Sequence, residues 1–122
     1  MTEQAWVVRL SAAAQSDFHE IVRWTTEHFG SRQGSVYAET LSDAVVALMA
    51  GPAARGVKAR NDIAPGLYTL HVARKRRRGR HFILFRIGSH AGQPIIDVVR
   101  VLHDSMDLAR HVSVEKPDRR EK

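Results

Sequence analysis

Three sets of residues in this 122-residue chain have side chains suited to chemistry. The first is Arg74-Lys75-Arg76-Arg77-Arg78-Gly79-Arg80, a run of bases broken once by glycine. Like charges crowded on one connection repel, so a polyanion that neutralises them gains counterion-release free energy. The competing reading is a solvated loop that keeps an edge strand soluble, although one or two charges suffice for that. The residue types leave the anion open between nucleic acid, an acidic segment of a partner, and an acidic patch on a target. The second set is Arg100 with His103. Cleaving RNA takes a base for the 2′-hydroxyl, a cation for the phosphate and an acid for the leaving group. Arg100 is a cation and His103 a titratable imidazole, and the residue types alone assign no catalytic residue. Simple alternation places Arg100 on the face of Ile96 and Val98, and Asp97 on that of Ile95 and Val99. The third set is the seven histidines. His19 and His28 fall on opposite sides of a helix and cannot share an ion. His71, His81 and His103 converge only if strand register allows it. With no cysteine and no HExxH spacing, neither a metal nor a cofactor is expected. No nucleophile-elbow motif is present either.

The bulk of the chain must position these groups. Its length suits one domain, expected over residues 1–112 with a flexible tail at 113–122. Hydrophobic residues at 43% and charged residues at 26% are ordinary globular usage. The longest apolar run, Ala44–Ala50, is far short of a membrane span. No signal-peptide pattern opens the sequence, so a cytoplasmic protein with no membrane partner is expected. Nineteen Lys and Arg against thirteen Asp and Glu leave +6. The distribution is uneven: residues 12–50 hold five acids and two bases, whereas residues 51–88 hold ten bases and only Asp62. Such polarity favours an acidic or polyanionic partner on one side.

Trp6, Val8 and Leu10 alternate as a short strand does. Ser11 reads as an N-cap. A helical stripe of Ala14, Phe18, Ile21, Val22, Thr25 and Phe29 then runs to Gly30. Ser31 is expected to cap a second helix, with Tyr37, Leu41, Ala44, Val45 and Leu48 on its inner face, reaching about Ala50. A turn so short makes the two helices an antiparallel hairpin. Pro52 to Gly66 reads as loop. Strands follow at Leu67–Ala73, His81–Ile87 and Pro94–Leu102, the last two joined through Gly88, Gly92 and Gln93. A short helix is expected over Asp104–His111. The expected fold is α+β, a helix hairpin on one face of a mainly antiparallel four-stranded sheet, the other face open.

The order β-α-α-β-β-β resembles the RelE/ParE superfamily, and the ParE branch in particular. Leu10-Ser11-Ala12-Ala13-Ala14-Gln15-Ser16-Asp17 is similar to that family's passage from first strand to first helix. Pro65-Gly66-Leu67-Tyr68 resembles the entry to the second strand. Arg100-Val101-Leu102-His103-Asp104-Ser105-Met106-Asp107-Leu108-Ala109-Arg110-His111 resembles the closing segment. The resemblance covers about residues 6–112. It implies the toxin of a type II toxin–antitoxin module, neutralised by a ParD-like antitoxin whose C-terminal segment wraps it. It also implies poisoning of DNA gyrase without an enzymatic step. The alternative within the superfamily is a ribosome-associated mRNA interferase, and resemblance to its ribonuclease members implies that Arg100 would then hold phosphate and His103 assist proton transfer. From a different class comes a basic module that binds nucleic acid and is not toxic. The departure from the pattern is Arg74–Arg80, longer and more basic than the family's usual connection.

Overall fold

The structure, a computed structural model, describes residues 5–105. Strand β1 (Val7–Leu10) leads into helices α1 (Ala12–Phe29) and α2 (Ser31–Ala47), and α2 tightens into a 3-10 turn over Leu48–Ala50. Four strands follow: β2 (Lys58–Ala59), β3 (Leu67–His71), β4 (His81–His90) and β5 (Gln93–His103). They form one sheet in the order β1-β5-β4-β3-β2, antiparallel except where β1 runs parallel to β5. The expected class and order are therefore found, with five strands rather than four. The additional strand is the two-residue β2, inside a segment whose glycines and prolines had marked it as loop only. Strands β4 and β5 extend further than their apolar runs, and their turn lies at Ala91-Gly92, because Gly88 and Ser89 still pair with Ile95 and Pro94. The expected tail 113–122 and most of the expected helix Asp104–His111 lie outside the described residues.

The helix boundaries follow from caps. Ser11 holds an extended ψ of 164° and its Oγ accepts from the Ala14 N–H at 3.0 Å. The same hydroxyl donates to the Val99 carbonyl at 2.8 Å, tying the start of α1 to β5. Gly30 closes α1 and is also the N-cap of α2, so Ser31 is the first helical residue and not the cap.

The main core lies between the helix pair and the sheet. Ala14, Leu41, Ala44 and Leu48 from the helices meet Leu70, Val72, Ile83, Phe85, Ile96, Val98 and Val101. The second face is not left open along its length. Ile63 and Leu67 pack with Phe82 over Leu84 and Leu102, which are 1% and 2% exposed. The 52–66 segment therefore lies against part of this face, because Leu84 and Leu102 would otherwise be stranded in water.

Within β5 a bulge falls between the Leu84 and Phe85 pairings: Phe85 stands opposite Val98, while Leu84 stands opposite Arg100. One residue inserted in one strand reverses the facing of everything beyond it. Arg100 thus shares the side of Leu84 and Leu102 and not, as plain alternation predicts, that of Ile96 and Val98.

Candidate functional site

The basic connection is an ordered turn. Arg77 N–H donates to the Arg74 carbonyl at 2.9 Å, and the two residues between, Lys75 and Arg76, have φ of 51° and 69°. Two successive left-handed residues build a mirror-image turn that matches the twist of adjoining strands. Its six bases divide. Arg77 folds back onto α2, where it pairs with Asp43 and lies 3.8 Å from Glu39. Arg80 reaches Asp104 at 3.4 Å. Arg74, Lys75, Arg76 and Arg78 have no ion pair among the described residues. Two of the six bases are thus tied back to the body of the fold.

Below the turn, α2 supplies its anchor. Tyr37 Oη accepts from the Arg80 N–H at 3.0 Å and is hydrogen-bonded to His81 Nδ1 at 2.7 Å. At Gly79 a Cβ would lie 2.5 Å from Val72 Cγ2 and 2.8 Å from Tyr37 Oη, so only glycine lets the chain pass there. Burial raises the Tyr37 phenol above its ordinary value, which keeps it a neutral donor.

The three strand histidines do converge. His81 pairs with His103 across β4 and β5, ring centroids 5.2 Å apart, while His71 packs edge-on against Phe82. Burial, with the neighbouring His103 adding to it, pushes His81 down to about 4, so it stays neutral at physiological pH. His71 Nδ1 accepts from the Ala73 N–H at 2.9 Å, which leaves Nε2 to donate to Asp104 at 3.0 Å. Those bonds from His71 and then Arg80 hold the Asp104 carboxyl below its usual range. His103 Nδ1 accepts from the Ser105 N–H at 3.1 Å. Each imidazole is thus fixed, His71 through both ring nitrogens and His81 and His103 through Nδ1. Among the described residues no group of three or more His, Cys, Asp or Glu is placed to hold a metal ion.

Arg100 lies elsewhere. Strand β1 ends at Leu10 opposite Val98, so the N–H of Val101 has no strand to receive it. Asp17 of α1 takes that place, accepting from Val101 N–H at 2.9 Å and from Arg100 Nε and Nη2 at 2.7 and 2.9 Å. Both side chains are 16% exposed. A bidentate, charge-assisted pair at the seam of α1 and β5 staples helix to sheet. The sequence reading passed over Asp17, Tyr37 and Asp104 as functional supports. Asp17 could have been found, since it sits three residues after Ala14 and four before Ile21, inside an apolar stripe where a carboxylate needs a partner.

The family model for the ParE toxin of the type II toxin–antitoxin system, parDE, matches residues 8–108. Toxin ParE1 of Mycobacterium tuberculosis, in two strains, is 36% identical over 103 residues, covering 84% of this chain and 94% of that protein. Among solved structures, a chain from the chromosomal ParDE system of P. aeruginosa superposes with a TM-score of 0.63 at 18% identity. It covers 83% of this chain and 98% of its own. The YoeB/ParE toxin from Agrobacterium tumefaciens gives a TM-score of 0.53 at 12% identity, covering 80% and 96%. These last two share the fold. The family match spans β1 through β5, with the helix pair, the histidine cluster and the basic turn between them, and on that ground the chain belongs to the ParE toxin family of type II toxin–antitoxin systems.

Proposed function

We propose that this toxin is held inactive by a small cognate antitoxin in the cytoplasm, and that when released it inhibits DNA gyrase by binding. One observation carries the non-catalytic reading: Arg100, the candidate phosphate cation, is clamped by both oxygens of Asp17. A guanidinium committed in that way must break a bidentate pair before it can hold phosphate. The histidines support the same reading. His81 is neutral and bonded to Tyr37, and His71 has both ring nitrogens engaged. Beside His103, Arg80 is already paired with Asp104, 3.4 Å from the carboxylate oxygen that lies 3.7 Å from His103 Nδ1.

The test sets purified protein in a gyrase supercoiling assay beside an mRNA-cleavage assay on translating ribosomes. Loss of supercoiling with intact mRNA is the expected result. Cleaved mRNA with unaffected supercoiling would transfer the protein to the interferase reading. His103→Ala separates them in cells, where growth arrest should persist. If that variant stays folded by circular dichroism yet loses toxicity, His103 is catalytic, and cleavage should fall by roughly 10²–10⁴-fold.

A further inference from the structure

Strand β5 ends at His103, and the chain then turns so that Ser105 comes back to the imidazole. Ser105 N–H donates to His103 Nδ1 at 3.1 Å, and a backbone amide can only donate. That nitrogen therefore carries its lone pair, and the ring proton sits on Nε2. Ser105 Oγ lies 2.7 Å from the same Nδ1, so its hydroxyl donates there as well. The amide alone would fix the turn. Two donors share one lone pair, with the shorter bond from the hydroxyl, and the serine proton is thereby aimed at a base. His103 is held edge-on by His81 and its side chain is 39% exposed, while Ser105 is open to solvent. A nucleophile, its base and a way in are in one place.

The surroundings select the electrophile. Asp104 stands between the two residues, but its carboxylate is occupied by His71 at 3.0 Å and by Arg80 at 3.4 Å. It repels an incoming anion less than a free carboxylate would. Asp104 N–H also donates to the Arg80 carbonyl at 2.7 Å, which ties this end of β5 to the basic connection. Arg74, Lys75, Arg76 and Arg78 there have no ion pair among the described residues, and their field draws anions. We propose that Ser105 is a phosphorylation site, its hydroxyl taking a phosphoryl group from an acyl phosphate with His103 as general base. Oγ attacks the phosphorus, the P–O bond to the acyl group breaks, and the carboxylate leaves with the electron pair. The serine proton passes to His103 Nδ1 and from there to water. The phosphoserine brings a charge of about −2 to the basic end of the sheet. None of this depends on the antitoxin reading.

The test treats the full chain with acetyl phosphate and, separately, with diisopropyl fluorophosphate, a neutral probe whose fluoride leaves. Tandem mass spectrometry locates the label. Ser89 is the reference, an exposed strand serine with no side-chain hydrogen bond among the described residues. Both reagents should mark Ser105 faster than Ser89 by about tenfold or more. His103→Ala should lower the labelling of Ser105 by roughly 10²-fold, and added imidazole should restore it. His103→Asn guards against misfolding: its side-chain oxygen accepts from the Ser105 N–H and takes no proton. Labelling should fall as far in that variant, with the circular dichroism unchanged. Replacing Arg76 and Arg78 by Gln should slow acetyl phosphate by about threefold at low salt and leave the fluorophosphate rate unchanged. Equal labelling of Ser105 and Ser89, full labelling in folded His103→Asn, or phosphate found on an imidazole overturns the site. Marking by the fluorophosphate alone overturns the acyl phosphate as donor.

Discussion

Asp17 shows how much of a fold can depend on one carboxylate. It receives two bonds from Arg100 and the orphaned N–H of Val101, so its removal strands a largely buried guanidinium and a backbone donor together. Asp17→Ala is expected to cost about 3–4 kcal/mol, read from denaturant unfolding. Arg100→Leu should cost less, because the carboxylate keeps the Val101 N–H; the double variant should lose less than the sum. A value for Asp17→Ala near that of a surface ion pair, below about 1 kcal/mol, would contradict the staple. His81 carries a second, pH-dependent consequence at the same scale. Facing Tyr37, His103, His71, Asp104 and Asp17, it sits at about 4 when folded against an ordinary 6.5. Between those values the unfolded chain binds more protons than the native one, so stability rises with pH across that window and is lost as pH falls through it. Melting temperatures measured from pH 4 to pH 6.5 should climb, and His81→Gln should flatten the climb. No difference between the two profiles would mean that His81 is solvated in the native state.

At the scale of elements, the basic turn is held by α2. Tyr37 bonds the Arg80 amide, Glu39 and Asp43 face Arg77, and Gly79 admits the chain against Tyr37 and Val72. Tyr37→Phe should therefore destabilise by about 1–3 kcal/mol, since the Arg80 N–H and His81 Nδ1 lose a shared partner. Gly79→Ala should cost about as much through overpacking. Replacing Arg74, Lys75 and Arg76 by Gln should change stability little, within about 0.5 kcal/mol each, because these side chains have no ion pair among the described residues. A melting shift from that triple variant as large as from Tyr37→Phe would show that the exposed bases support the fold. Much of this architecture was readable in advance. Ser11, Gly30 and the stripe from Ala14 to Phe29 announced α1, and the β-branched run at Ile95–Val99 announced the last strand. What stayed hidden was non-local. Strand β2 is two residues defined only by its pairing with Thr69 and Tyr68. The bulge that turns Arg100 away from the main core has no glycine or proline to mark it. The histidine cluster likewise required the register His81 to His103, which no local pattern specifies.

For the whole molecule, charge is segregated along the chain and the fold keeps it so. The helix hairpin falls within residues 12–50, with five acids and two bases, whereas residues 51–88 carry ten bases and one acid and include β2, β3, most of β4 and the basic turn. Some of that charge is cancelled across the boundary by Arg77 with Asp43 and Glu39. Arg55, Arg74 and Lys75 gather beside Leu70 and His71 at one end of the sheet, with Arg76 and Arg78 in the same connection. A field of that shape steers an acidic partner toward that end of the sheet before any contact forms. Its effect belongs to the encounter and not to the final complex, since exposed charges alter association rates more than dissociation rates. Association with the proposed antitoxin, followed by stopped flow, should therefore slow as salt rises from 50 to 500 mM, as the Debye length contracts to a few ångströms. Replacing Arg74, Lys75 and Arg76 by Gln should slow it further at low salt and matter little at high salt. The dissociation rate should change less than threefold under both manipulations. A rate that ignores salt, or a triple variant that dissociates tenfold faster and associates normally, would place these bases inside the bound interface as contacts and remove steering as their role.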